Sequence, residues 1–408
     1  MSGAALSALL AACEGFDRVG VAVSGGGDSV AALVLAVEAL GATRVAAVTV
    51  DHGLRPEAAA EAAGVAALCA KLGVAHDVLR WDEGPRGGNL MGEARAARLR
   101  LIGGWARGRV GAVVLAHTQD DQAETLLMRL ARGSGVDGLS GMAARREAEG
   151  MVWLRPLLGV SRAALRAALV ERGVGWVEDP SNADPRYLRV RARQALGVLQ
   201  GLGISAEGLA ATAGRMQRAR AVLEGAAQRA LEQHVTEDRG ILRIAASALD
   251  LPGETRDRLF AHLLMQLGGS AYRPRLEDLQ RLLAAGRGTL MGCLLRRRGE
   301  TLFLGREARA VADLACAADQ VWDRRWRAAG PGEARIGALG PAGLEQLSRQ
   351  AREGRHPHWR ETGIPEPLLQ GLPGLWREGR LVAAPLALWP EGWSLSARPL
   401  AAIAPPGP

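Results

Sequence analysis

Val19-Gly-Val-Ala-Val23 runs without a break into Ser24-Gly25-Gly26-Gly27-Asp28-Ser29 and then into the apolar stretch Val30 to Leu40. The first segment has the β-branched character of a buried strand, and the last is long and apolar enough for a helix. Between them stand three consecutive glycines. Without Cβ atoms, the backbone N–H groups of such a turn can converge on an anion at the positive end of the helix that follows. A phosphate is the natural guest. The same residues also fit a plain glycine turn whose helix is capped by Asp28 or Ser29.

Around this loop, the first 180 residues alternate short apolar β-branched runs with helical stretches, the pattern of a parallel sheet covered on both faces. Strands are expected at Arg18 to Val23, Arg44 to Val50, His76 to Leu79, Ala112 to Ala116 and near Trp176, with helices between them. The second strand ends in Asp51-His52-Gly53-Leu54-Arg55. In an open parallel sheet, ligands bind beyond the carboxyl ends of the strands, so Asp51 and His52 are expected beside an adenosine, unless their side chains merely close the turn. A further strand runs into His117-Thr118-Gln119-Asp120-Asp121-Gln122-Ala123-Glu124-Thr125. Asp121 and Glu124 are three apart, so both carboxylates lie on one helical face and can converge on an ammonium or Mg²⁺. The competing reading is a helix start in which Thr118 and Asp121 form a capping box.

Composition sets the outer bounds. A chain of 408 residues, 48% of them apolar, exceeds one compact domain, and two or three are expected. No run of 18 apolar residues occurs, so no membrane span is expected, and residues 4 to 13 read as an amphipathic helix rather than a leader. Cys13, Cys69, Cys293 and Cys316 form neither a C-x-x-C pair nor a zinc pattern, which fits a cytoplasmic protein. The net charge is +8, carried almost wholly by arginine, and residues 201 to 408 hold 28 basic against 22 acidic side chains. That excess suits contact with a polyanion or a solvated basic surface. Beyond Asp179-Pro180 come an arginine-dense stretch at Arg186 to Arg193, a helix over Ala206 to Val235, a helical unit over 254 to 285 and a hairpin over Leu290 to Leu304. The text after residue 310 is rich in Pro, Gly and Trp.

Taken in order, these motifs resemble a known family. Ser-Gly-Gly-x-Asp-Ser is the loop of the PP-loop ATP pyrophosphatase superfamily, which splits ATP into AMP and pyrophosphate. Together with Asp-His-Gly-Leu-Arg, His117-x-x-x-Asp121-Gln-x-Glu124-Thr and Arg132-Gly133-Ser134-Gly135-x-x-Gly138-Leu139, it resembles the tRNA(Ile)-lysidine synthetases. Further echoes are Glu93-Ala94-Arg95-x-x-Arg98, Leu154-Arg155-Pro156-Leu157, and Glu178-Asp179-Pro180-Ser181-Asn182 leading to Tyr187-x-Arg189-x-Arg191-x-Arg193. The resemblance covers residues 15 to 200 firmly. Two positions depart from the family: Leu99 stands for an aromatic residue and Val190 for an asparagine.

The resemblance implies an α/β fold with an open parallel-sheet PP-loop ATP pyrophosphatase domain over 1–198. A mainly helical tRNA-contacting domain over 199–310 and an irregular α+β region over 311–408 are expected to follow. It implies a ligase in which Ser24, Gly25, Gly26, Gly27, Asp28 and Ser29 hold ATP, with Asp28 near Mg²⁺. The substrate is tRNA(Ile) with a CAU anticodon, whose wobble cytidine is adenylated at the C2 oxygen and then attacked by free L-lysine. Asp121, Glu124 and Arg98 are expected to fix the lysine, with His117 or a carboxylate taking its proton. Arg95 and Arg98 suit the adenylate phosphate or the lysine carboxylate. Arg132, Arg189, Arg191 and Arg193 are expected to meet the tRNA. Whether the chain forms a homodimer stays open. Tryptophans such as Trp322, Trp326 and Trp359 read as core anchors rather than base-stacking platforms. The rival readings are a tRNA thiolase, which needs a cysteine that the loop lacks, and a non-catalytic RNA-binding protein on the same fold, which has no need of Asp28, Asp121 and Glu124.

Overall fold

The computed structural model describes residues 2–53, 58–82, 84, 90–148, 150–178 and 184–403. Leu54 and Arg55, and Asp179 to Asn182, which belong to two of the motifs above, lie outside the described residues. Contacts divide the chain into two units, Met1–Ala221 and Val222–Pro405.

In the first unit the elements are α1 (Ser2–Ala12), β1 (Val19–Ala22), α2 (Gly27–Leu40), β2 (Val45–Asp51), α3 (Ala58–Leu72), β3 (Ala75–Arg80), α4 (Leu90–Ala106), β4 (Ala112–Val114), α5 (Gln119–Leu130), α6 (Val136–Leu139), β5 (Arg145–Ala148), β6 (Met151–Leu154), α7 (Arg162–Glu171) and α8 (Leu188–Gln200). The strands form one sheet in the order β3-β2-β1-β4-β6-β5. All neighbours are parallel except β5 and β6, which make an antiparallel hairpin at one edge. The order reverses between β1 and β4, and this switch point is where an open α/β sheet leaves a crevice. The loops that leave β1 and β4 flank it.

Strand alternation explains the two-faced core. Val19, Val21, Val45, Ala47, Ala112 and Val114 pack to one side with α2, and Ala46, Val48, Val113 and Leu115 pack to the other with Ile102 and Trp105 of α4. Each such fully buried Val or Leu contributes about 1.5–3 kcal/mol. Gly20 is required by the second face: a Cβ there would stand 2.8 Å from the Trp105 ring. That ring is held in turn by its Nε1 donating to Asp77 Oδ2 at 2.7 Å.

The strand expected near Trp176 is not part of the sheet; β5 and β6 take that place. Val177 makes only an isolated parallel bridge to Gly26, its N–H donating to the Gly25 carbonyl at 3.0 Å. The segment packs on the glycine loop, with the Trp176 ring over Gly27.

α9 (Ala206–His234) carries residues of both units. In the second unit, β7 (Val235–Asp238), β8 (Ile241–Ala245), β9 (Arg287–Leu290), β10 (Cys293–Arg298) and β11 (Thr301–Arg306) form an antiparallel sheet in the order β7-β8-β11-β10-β9. The expected hairpin is its centre, turning at Gly299-Glu300 with Gly299 at φ +58°. Helices Gly253–Gly268 and Leu276–Ala285 pack Phe260, Leu264 and Leu283 against this sheet. Beyond it, Ala315–Ala317, Arg335–Ala338, Pro373–Arg377 and Arg380–Ala383 form a four-stranded antiparallel sheet. Trp322, Trp326 and Trp359 are buried in the core of this region, as their read as anchors requires. Trp322 Nε1 donates to the Leu314 carbonyl and Trp359 Nε1 to Ser348 Oγ, both at 2.8 Å. Among the described residues, no helix is long and apolar enough to cross a membrane.

Candidate active site

β1 delivers the chain to the switch point, and Gly25 turns it there at φ +86°, a conformation that L side chains rarely adopt. Ser29 Oγ then ties the loop to itself. It accepts from the Ser24 N–H at 3.1 Å, donates to the Gly26 carbonyl at 2.9 Å and lies 3.2 Å from Ser24 Oγ. α2 starts at Gly27 with Gly26 as its cap, and no side chain caps its first turn. The positive end of a 14-residue helix therefore faces the crevice.

Across the switch point, α5 begins the opposite way. The Thr118 hydroxyl accepts from the Asp121 N–H at 3.3 Å, while Asp121 Oδ2 accepts from the Thr118 N–H at 2.8 Å and from its hydroxyl at 3.0 Å. This is a complete capping box. Burial works to raise the Asp121 pKa, but the Thr118 N–H and the guanidinium groups of Arg189 and Arg162 outweigh it and hold the carboxyl below its ordinary value. Farther along the helix, Gln122 braces the following loop through Met142, with its Nε2 donating to the carbonyl and its Oε1 accepting from the N–H. Arg129 adds bonds to the Gly138 and Gly141 carbonyls.

The two helix starts meet at Arg162, a residue that the motifs did not single out. It is the first residue of α7, fixed by its N–H on Asp120 Oδ2 at 2.7 Å and by the neighbouring Ser161 cap on Ala164. Its guanidinium reaches Asp28 Oδ2 at 2.9 Å, Glu124 Oε1 at 3.4 Å and Asp121 Oδ1 at 3.5 Å. Burial opposes its charge, but Asp28, Asp121 and Glu124 raise its pKa above the usual arginine value. The Asp28 carboxyl is itself raised, mainly by burial and further by Asp121, although Arg162 pulls the other way. Asp28 Oδ1 is buried without a hydrogen-bond partner, an oxygen suited to a hard cation.

Glu124 is fully buried, and three arginines surround it. Besides Arg162, Arg193 Nε donates to Oε1 at 2.9 Å, and Arg189 Nε stands 3.3 Å from Oε2 without hydrogen-bond geometry. A cavity of about 230 Å³ opens here, lined among others by Asp120, Glu124, Arg162, Arg193 and Ser205.

His117 lies at the end of the strand that carries α5. Arg155 Nε donates to its Nδ1 at 3.2 Å, so the neutral ring carries its proton on Nε2. Burial lowers its pKa to about 3, and Arg155, Arg98 and Arg95 add to the effect against the pull of Asp121. Arg95, Arg98 and Arg155 lie among further arginines, and desolvation followed by repulsion lowers each pKa: Arg189, Arg146 and Arg129 act on Arg95, Arg95 and Arg189 on Arg98, and Arg146, Arg95 and Arg98 on Arg155, which falls to about 10. Arg98 Nε is buried without a hydrogen-bond partner. Asp51 Oδ1 accepts from the Gly53 N–H at 2.8 Å and so closes its own turn. His52 packs edge-on to Trp81 with its ring centroid 5.8 Å away, and burial, then Arg98, lowers its pKa.

Asp28, Asp121, Glu124, Arg189 and Arg193 are thus brought together, whereas Arg132 and Arg191 are exposed. Val190, one of the two departures, is a buried packing residue of α8. Arg155 and Arg162 are the additions; their signal was the Leu154-Arg155-Pro156-Leu157 motif followed at short range by a Ser161 cap.

A family model described as "PP-loop domain" matches residues 4–199. Over most of its length the chain is similar to the tRNA(Ile)-lysidine synthase of Ruegeria pomeroyi, with 45% identity over 92% of this chain and 90% of that one. The enzyme of the same name from Rhodopseudomonas palustris is 42% identical over 65% of this chain and 79% of its own. That from a Methylobacterium species is 41% identical over 70% and 88%.

Proposed function

The chain belongs to the tRNA(Ile)-lysidine synthase family, and from that premise we propose how its own residues carry the reaction of a carbon–nitrogen ligase driven by ATP. The substrates are a tRNA(Ile) with a CAU anticodon, ATP and free L-lysine. The C2 oxygen of the wobble cytidine attacks the α-phosphate of ATP, pyrophosphate leaves, and the oxygen is carried as an adenylate. The lysine ε-nitrogen then bonds to C2, the C2–O bond breaks, AMP departs with the oxygen, and the nitrogen loses a proton. The observation that carries this reading is the joining of Asp28, on the phosphate loop, to Asp121 and Glu124 through the Arg162 guanidinium.

In this reading the uncapped start of α2 and the N–H groups of Gly25 to Asp28 receive the polyphosphate, and stabilise the charge that develops as pyrophosphate departs. Asp28 would hold Mg²⁺ through its unpartnered Oδ1, and the cation would supply charge neutralisation at the departing phosphates. Asp121 and Glu124 hold the ammonium of the lysine, and the cationic group of Arg95 and Arg98 suits its carboxylate or the adenylate phosphate. Asp51 and His52 stand at the strand end expected for adenosine.

The lysine amine must lose its charge before it attacks, and its ordinary pKa is near ~10.4. Arg189 and Arg193 crowd the same site with positive charge, which favours the neutral amine. His117 does not serve as the base in this scheme, because Nδ1 already accepts from Arg155 and Nε2 carries the proton. We assign the proton to Glu124, whose Oε2 makes no hydrogen bond, and His117 Nε2 acts as a donor. The test is AMP release from ATP with unmodified tRNA(Ile) bearing CAU. AMP formation that requires both tRNA and lysine supports the reading; turnover that ignores either one overturns it.

A further inference from the structure

Resting on the reading that Asp121 and Glu124 seat the lysine ammonium, we propose that Arg162 is the resident cation of that seat in the free enzyme. Lysine enters by displacing it, and ATP assists by drawing Arg162 to the phosphates. The carboxylate oxygens themselves carry the argument. Asp121 Oδ2 is consumed by the two bonds from Thr118, so Oδ1 is the oxygen left for a ligand, and Arg162 Nη2 faces it at 3.5 Å. Glu124 Oε1 is shared by Arg193 and Arg162, and Oε2 faces Arg189. Asp121 Oδ1 and Glu124 Oε1, the oxygens through which an ammonium could bridge the two carboxylates, are therefore both covered by Arg162.

Exchange rather than coexistence follows from burial. Glu124 is fully buried and the Asp121 side chain nearly so. A second monovalent cation at these oxygens, with Arg162 still on them, would face like-charge repulsion in a site poor in water. The move needed is small. The backbone of Arg162 is anchored by Asp120 and by the Ser161 cap, so only its long side chain has to turn. Its Nε already lies on Asp28, the carboxylate of the phosphate loop, so a polyphosphate bound there offers the guanidinium a nearby anionic partner. Arg162 thus makes lysine affinity depend on whether nucleotide is present, and keeps three carboxylates neutralised until then.

The experiment measures lysine binding to the full chain without tRNA, so that no turnover intrudes, by equilibrium dialysis with labelled lysine. Each protein is tested with and without Mg²⁺ and the α,β-methylene analogue of ATP. Wild type should bind lysine on the order of tenfold more tightly with the nucleotide, the factor expected if the seat is free about a tenth of the time in its absence. Arg162→Gln should bind lysine as tightly without nucleotide as wild type does with it. Should that variant fail to fold, Arg162→Lys keeps the charge but cannot span three carboxylates, and must shift in the same direction. Unchanged, weaker or unmeasurable lysine binding in the folded variant, or wild-type affinity indifferent to nucleotide, overturns the proposal. Glu124→Gln separates the two levels: if it leaves lysine binding intact, the lysine seat lies elsewhere, whereas if it weakens binding and Arg162→Gln does not tighten it, only the displacement of Arg162 fails.

Discussion

The starts of α2 and α5 occupy equivalent places, each following a central strand on one side of the switch point, yet their local chemistry is opposite. At α2 the cap is Gly26, the turn is made of glycines, and the N–H groups face the crevice unaided by any side chain. At α5 the chain's own Thr118 and Asp121 seal the helix end. A helix start left open offers positive charge to an anion, whereas one sealed by a carboxylate no longer does. With Glu124 one turn on, the sealed end presents negative charge to a cation instead. In the proposed scheme one topological position, repeated twice, serves as an anion site and a cation site that Arg162 joins.

Breaking each half separately is the strongest test of that contrast. Asp28→Ala removes the carboxylate of the anion side and should lower AMP release roughly a thousandfold, several kcal/mol of transition-state stabilisation, whatever the lysine concentration. Glu124→Gln, chosen because glutamine keeps the shape and an acceptor oxygen for the neighbouring arginines where alanine would leave a cavity, should raise the KM for lysine while pyrophosphate release on the first turnover persists. If both variants lose the first half-reaction equally, the two helix starts do not divide the work as described. Single-turnover release of pyrophosphate and of AMP, followed in parallel, distinguishes these outcomes.

How much of this was legible in advance differs between the two ends. The glycine loop could be read because its chemistry is backbone chemistry, and three glycines between a strand and a helix leave few alternatives. Asp121 and Glu124 could be placed on one face by their spacing, but the spacing alone could not decide between a capping box and a ligand pair. Asp121 gives Oδ2 to the capping box and turns Oδ1 to Arg162. Arg162 was hidden because its partners are 134, 41 and 38 residues away in the chain, and only the parallel sheet brings them together. The extra strand expected at Trp176 failed for a related reason: an aromatic, β-branched run looks the same whether it joins a sheet or packs over a loop, as this one does on Gly27. Arg189 and Arg193 read as groove-lining residues from their charge, and their grip on Glu124 depends on how α8 packs beside α5.

A smaller perturbation sharpens the contrast by opening the sealed end. Thr118→Ala removes one side of the capping box and should cost about 1 kcal/mol of stability at neutral pH. Its sign with pH follows from Asp121. The folded carboxyl lies below its unfolded value, so its contribution is fully present above the unfolded pKa, near ~3.9, and is lost as pH falls through the folded one. The gap between wild type and Thr118→Ala should therefore narrow in acid, because protonation of Asp121 weakens the bond from the Thr118 hydroxyl to its carboxylate, which only wild type has. Urea unfolding at neutral pH and near pH 3 measures this; a gap independent of pH would mean that the box is not tied to the charge of Asp121.

The mildest change probes the residue between the two ends. With its pKa lowered to about 3, His117 is neutral throughout the working range, and with Nδ1 occupied by Arg155 it has a proton to offer rather than a site to accept one. His117→Gln keeps an acceptor for Arg155 and a donor beside it, so the activity should fall only a few-fold, about 1 kcal/mol. The pH–rate profile should show no limb near the ordinary histidine value of about 6.5 in either protein. Stability carries the complementary sign. As pH falls below about 6.5 the unfolded chain takes up a proton at this histidine, while the folded chain does not until about 3, so the site costs wild type stability across that window. Glutamine has no proton to gain, and the acid unfolding midpoint of His117→Gln should lie at lower pH than that of wild type. A general base at this position would give the reverse pattern, in which the glutamine variant loses turnover almost entirely and the profile loses an imidazole limb that wild type had shown.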